Sequence, residues 1–201
     1  MPLLLSKPIS PYSAYAIWNI QETNVALKDL VNEKTPEDLN PTRLAEWMVG
    51  RILIKNLASQ FSLKYRGIEP DESGKPFLTG STAQISISHS FPMAAAMINL
   101  NKTCGIDLER PRQKLIDAQL KFLHESENEF QNNLDALCKI WCGKEVLYKI
   151  YGRRKISLKD EMKIEFIDDQ SMRGIITKEQ FEGHHRIRVE KLKEYFLAYS
   201  L

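Results

Sequence analysis

Asn40-Pro41 and the residues after it set the strongest limit on how this chain can fold. A capping side chain followed by proline at the first helical position is a helix start. Leu44, Trp47, Met48, Ile52 and Leu57 then recur at helical spacing. One amphipathic helix, carrying Arg43 and Arg51, is therefore expected to run to about Ser59. A second strongly helical run covers residues 134–151, with Ser126-Glu127-Asn128-Glu129 ahead of it reading as a capping box. A shorter polar helix is expected over residues 24–32. Strand-like stretches occupy residues 12–20, 84–88, 94–100 and 104–108, and again 162–167, 173–177, 185–189 and 195–199. Helices and strands interspersed with tight turns predict an α+β fold with mainly antiparallel pairing.

The second half repeats the theme with helices first, which divides the chain into residues 1–101 and 102–201. At 201 residues there is room for two small fused halves without disulfides or structural metals. Cys104, Cys138 and Cys142 are too few for a disulfide framework and lack a histidine at ligand spacing, so they read as partly buried thiols in a reducing compartment. The leucines of residues 1–6 have no basic region before them, and no later stretch approaches a membrane span. A cytoplasmic protein with no membrane partner is expected. The net charge of +2, with no basic stripe, argues against nucleic acid.

Four short segments carry chemistry. In Gly105-Ile106-Asp107-Leu108-Glu109, residues two apart on a strand share a face, so both carboxylates can address one point. Hard oxygen donors at that spacing suit Mg²⁺, which fills its shell with waters and substrate phosphates; the plainer reading is the exposed face of an edge strand. In Trp141-Cys142-Gly143-Lys144-Glu145-Val146-Leu147-Tyr148-Lys149, positions 141, 145 and 149 share a helix face. An ordinary Glu145–Lys149 ion pair there contributes only ~0.2–0.5 kcal/mol. Gly143 costs the helix ~1 kcal/mol relative to alanine, which suggests that something nearby needs the room.

Ile85-Ser86-Ile87-Ser88-His89-Ser90 ends a strand in hydroxyl and imidazole donors. No acid is apparent nearby in sequence to orient His89, so phosphate binding fits better than a hydrolase triad. Ser73-Gly74-Lys75-Pro76 lies in the acidic turn from Asp71 and projects one lysine; it lacks the glycine spacing of a Walker loop.

In this order the segments read Gly-Lys-Pro-x-Leu, Ile-Ser-His-Ser, Gly-Ile-Asp-Leu-Glu and Trp-x-x-Lys-Glu-x-x-x-Lys. The series resembles the signature of the 4′-phosphopantetheinyl transferase superfamily, in the larger, monomeric, surfactin-synthetase-activating type. The likeness spans about residues 43–151, and Ser86 stands where the family often has asparagine. The resemblance implies a pseudo-dimer of two similar α+β halves with coenzyme A between them. It implies Mg²⁺ on Asp107, Glu109 and Glu145, with Glu145 and Lys149 catalytic. Coenzyme A contacts would come from Arg43 or Arg51, from Gly74, Lys75 and Pro76, from Ser88 and His89, and from Lys149. The implied partner is an apo acyl, peptidyl or polyketide carrier protein, with Arg153, Arg154 and Lys155 offered as part of its docking surface. A coenzyme A-binding regulator and a Mg²⁺-dependent phosphoesterase are the alternatives, distinguished by whether a carrier gains the arm.

Overall fold

A computed structural model describes residues 3–152, 155–179 and 181–201. The chain forms two compact units, Met1–Cys104 and Gly105–Leu201. The architecture is α+β, with one antiparallel sheet in each unit.

The first unit contains β1 (Leu3–Ser10), β2 (Ser13–Asn19), α1 (Asn24–Val31), α2 (Pro41–Gln60), β3 (Ile68–Pro70), β4 (Pro76–Leu78), β5 (Gln84–Ser90) and β6 (Met93–Asn99). Its sheet runs β1-β2-β6-β5-β4-β3. The Asn40-Pro41 start is realised: the Asn40 side chain accepts from the Arg43 amide and proline occupies the first turn. α2 buries Met48, Val49, Leu53, Ile54 and Leu57 against β2, β5 and β6. Small side chains make this close approach possible. Ala94 and Ala96 line β6 within the core, and a Cβ on Gly50 of α2 would stand 3.2 Å from the Ile87 side chain. The expected acidic turn joins β3 to β4, held by Asp71 Oδ1, which accepts from the Ser73 and Lys75 amides.

The second unit contains β7 (Ile106–Glu109), α3 (Gln113–Phe122), a 3₁₀ turn (Glu125–Phe130), α4 (Leu134–Tyr151), β8 (Met162–Asp168), β9 (Ser171–Lys178), β10 (Phe181–Leu192) and β11 (Tyr195–Ser200). Its sheet runs β7-β11-β10-β9-β8 and α4 packs on one face. The core joins Leu137, Ile140, Val146 and Leu147 of α4 to Ile164, Met172, Ile187, Val189 and Phe196 of the strands. The capping box lies two residues earlier than the Ser126–Glu129 pattern suggests. His124 Nδ1 accepts from the Ser126 amide, and Glu127 Oε2 accepts from the His124 amide. Histidine replaces serine because Glu127, not Glu129, is the carboxylate drawn into the core.

Gly143 has a packing explanation. A Cβ there would fall 2.8 Å from Ile164 and 3.0 Å from Met172, so its absence lets α4 settle on β8 and β9. Among the described residues, no helix is long and apolar enough to cross a membrane.

Candidate active site

The second unit's acidic cluster begins with a close contact. A Cβ on Gly105 would lie 2.4 Å from the Val146 carbonyl oxygen, so only glycine lets the chain enter β7 pressed onto the backbone of α4. β7 then pairs with β11 alone, Phe196 opposite Glu109 and Ala198 opposite Asp107. Although β7 is an edge strand, Asp107 and Glu109 are only 6% and 8% exposed, unlike the open face that the plainer sequence reading expects.

Lys149, near the end of α4, donates from Nζ to Asp107 Oδ1 at 2.8 Å and to the Ile106 carbonyl at 2.7 Å. The expected partner within the helix was Glu145; instead the lysine ties α4 to β7. Glu145 lies one turn earlier and is half-buried. Burial, followed by the negative charge of Asp107, pushes its carboxyl up to about 6; Glu109 adds to the rise and Lys149 opposes it. Glu145, Asp107, Glu109 and Lys149 therefore share one electrostatic neighbourhood.

Glu109 is fully engaged by donors. Its Oε1 accepts from Arg112 Nη2 at 2.7 Å and from the Arg110 amide at 2.8 Å, while Oε2 accepts from Lys114 at 2.8 Å. Neither Arg112 nor Lys114 stands out in sequence. Among the described residues, no three His, Cys, Asp or Glu side chains form a ready metal cage. The donor set nevertheless fits Mg²⁺, because Asp107 and Glu109 raise the cost of ionising Glu145 and Mg²⁺ usually takes only one or two carboxylates.

Behind this cluster, Lys144 and Glu127 form an ion pair at 2.7 Å with side chains 0% and 1% exposed. Lys144 Nζ also donates to the carbonyls of Phe122 (2.6 Å) and Leu158 (2.9 Å), and Glu127 Oε1 accepts from the Ile164 amide at 2.6 Å. Burial pulls the Lys144 ammonium below its ordinary pKa and Glu127 opposes it. Trp141, on the expected face with Glu145, packs edge-on against Phe122 at 5.2 Å.

The first unit brings Arg43, Glu46 and His89 together. Arg43 Nη1 lies 3.1 Å from Glu46 Oε2 and 3.4 Å from His89 Nδ1, and that imidazole nitrogen is 3.4 Å from the same Glu46 oxygen. The acid absent from the sequence around His89 is thus supplied by α2, 43 positions earlier in the chain. Its helical phase, one turn after Arg43, is the only sequence signal for it.

Arg51 is engaged elsewhere. It pairs with Glu33 at 3.3 Å, donates to the Ile68 carbonyl at 3.2 Å and stacks 3.5 Å over the Trp47 ring. Burial lowers its pKa against the pull of Glu33. Lys75 sits half-buried after Gly74, whose φ of 85° needs glycine, and before Pro76, which opens β4. Lys75 is close enough to Cys104 to lower that thiol's pKa slightly against the much larger effect of burial. Ser88 is buried in β5 and His89 is exposed beside it. Of the basic run offered for docking, Arg153 and Arg154 lie outside the described residues; Lys155 is exposed, and its carbonyl accepts from Lys178.

Comparison with known proteins picks out the second unit. Residues 103–200 match the family profile described as ACPS, 4′-phosphopantetheinyl transferase superfamily. A Haemophilus influenzae protein provisionally named a 4′-phosphopantetheinyl transferase is similar at 25% identity, over 72% of this chain and 69% of its own length. The matched region contains all four residues of the Asp107, Glu109, Glu145 and Lys149 cluster, and it is this region, residues 103–200, that matches the 4′-phosphopantetheinyl transferase superfamily.

Proposed function

We propose that the protein transfers the 4′-phosphopantetheine arm of coenzyme A to a serine hydroxyl of an apo acyl, peptidyl or polyketide carrier protein, releasing 3′,5′-ADP. The observation that carries this reading is the joining of β7 to α4, which puts Asp107 on Lys149 and leaves Glu145 beside them with a raised carboxyl pKa. Phosphoryl transfer depends mostly on positioning and charge neutralisation, and a few fixed carboxylates and one lysine suit that demand.

In this reading Asp107, Glu109 and Glu145 would hold Mg²⁺, which would supply charge neutralisation for the pyrophosphate. Glu145 takes the serine proton as the hydroxyl oxygen attacks the β-phosphorus. Without metal, burial and the charge of Asp107 hold that carboxyl near 6, above an ordinary glutamate. The bond from the β-phosphorus to the bridging oxygen breaks, and 3′,5′-ADP leaves with that oxygen. Lys149 turns from Asp107 to the phosphate under attack. Arg43, Lys75 and His89 take the nucleotide's phosphates, with Gly74 and Pro76 fixing the lysine's turn and Ser88 adding a hydroxyl donor. Arg51, committed to Glu33 and Trp47, instead supports α2.

Intact-mass spectrometry tests the reading. Apo carrier proteins incubated with this protein, coenzyme A and Mg²⁺ should gain the mass of one phosphopantetheine, and a chelator should abolish the gain. Coenzyme A binding with no gain on any carrier would instead mark a coenzyme A-binding regulator.

A further inference from the structure

The donors that occupy Glu109 have more hydrogen-bonding capacity than one carboxylate requires. Arg112 and Lys114 take its two oxygens from side chains 46% and 55% exposed, so both remain partly open to solvent. Beside them Arg110 reaches Glu194 at 2.9 Å and lies with its guanidinium carbon 5.5 Å from the centre of the Tyr195 ring. Tyr195 is buried, and its hydroxyl has no hydrogen-bond partner among the described residues. A buried hydroxyl without a partner costs stability, so its retention beside Arg110 and within the electrostatic reach of Arg112 points to a ligand that completes it.

We propose that Arg112 and Lys114 are exchangeable counterions of Glu109. A divalent cation taking that carboxylate releases them, and with Arg110 and the Tyr195 hydroxyl they form a binding site for a phosphate-type oxyanion. The inference rests on the reading of Glu109 as a metal ligand. Two guanidinium groups, an ammonium and a phenol offer many donors and no acceptor carboxylate other than Glu194, which suits a tetrahedral oxyanion with several lone pairs. Without metal, Glu109 and Glu194 offset two of the three positive charges and the oxyanion site is weak. With metal, Glu109 is occupied and the site strengthens. Metal and oxyanion binding are thereby coupled, each tightening the other.

The test needs neither a carrier protein nor turnover. Mn²⁺ binding is measured by electron paramagnetic resonance on the full chain, and inorganic phosphate binding by calorimetry with and without Mg²⁺. Removing the competing side chains in an Arg112→Gln/Lys114→Gln protein should tighten Mn²⁺ binding by roughly threefold to thirtyfold, the range expected for two partly exposed ion pairs. Arg110→Gln is the control for simple loss of positive charge, because its side chain does not touch Glu109, and it should change Mn²⁺ binding less. Wild type should bind phosphate about tenfold more tightly with Mg²⁺ than without, within the usual range of coupling. Tyr195→Phe and the double variant should lose that gain.

Unchanged or weaker Mn²⁺ binding in the double variant overturns the exchange, as does a phosphate gain that survives Tyr195→Phe. If wild type binds no Mn²⁺ at all, the metal reading beneath it fails instead. Displacement of the phosphate by coenzyme A identifies the substrate's own phosphate as the natural occupant. Phosphate retained alongside bound coenzyme A identifies a separately supplied one.

Discussion

At the scale of single residues, the chemistry is set by a small number of long-range pairings. Asp107, Glu109, Glu145 and Lys149 can be picked out by spacing alone, because strand and helix periods put them on shared faces. Which of them pair cannot be read that way: Lys149 chooses Asp107, 42 positions away, over Glu145 one helical turn away. Glu46 beside His89 and the two cations on Glu109 were hidden for the same reason, since their partners are set by tertiary contact. Glu145→Gln keeps the side chain's shape and removes its basicity. Turnover should fall by ~10²–10⁴ while coenzyme A binding measured by calorimetry stays within a few-fold of wild type. Turnover near the wild-type rate would show that Glu145 is not the base.

At the scale of elements, α4 is held in place by two different devices, one of which joins it to β7. One is the missing side chain at Gly105. Gly105→Ala forces a Cβ into the Val146 carbonyl and should cost about 1–3 kcal/mol in urea denaturation, the usual range for overpacking. Because it moves Asp107 and Glu109 on β7 away from Glu145 on α4, it should also weaken Mn²⁺ binding; an alanine protein with unchanged stability and Mn²⁺ affinity would show that the contact relaxes without consequence. The other is the buried Lys144–Glu127 pair, which ties α4 to the end of α3, the 3₁₀ turn and β8. Lys144→Ala leaves a carboxylate in the core without its cation and should destabilise the protein by about 3–5 kcal/mol. Glu127→Gln, which keeps an acceptor for the Ile164 amide, should cost less in the same measurement.

The long helices were legible because their caps and apolar spacing agree. Several elements were not, the three-residue strands β3 and β4 beside the acidic turn among them. α3 is mostly polar along its length and buries only Leu115 and Phe122. β1 is an edge strand interrupted by Pro8, so it lacks the alternation of a half-buried strand. The 3₁₀ turn takes its cap from His124, outside the usual Ser/Thr/Asp/Asn set.

At the scale of the whole molecule, all three cysteines are buried and free. Burial pushes the Cys104 thiol up to about 12 and raises Cys142 well above its ordinary range. Unfolded thiols ionise near 8.5, so these two favour the folded state fully below that pH, and the contribution is lost as pH rises above it. The unfolding midpoint in urea should decline above about pH 8.5, with each thiol contributing at most ~1.4 kcal/mol per pH unit. A Cys104→Ala protein should show a shallower decline; an identical slope would remove Cys104 from the account.

The position of β7 also constrains how this fold can diverge. Edge strands are where sheets most readily accept insertions or slips, because only one neighbour must be satisfied. Here Ile106 and Leu108 are buried on one side of the strand and Asp107 and Glu109 on the other. A one-residue slip would exchange the two sets, burying charge among apolar groups and turning leucine and isoleucine toward Lys149. An edge strand with one neighbour is therefore held to one register by its own side chains, and variation in length should accumulate at the β8–β9 turn instead.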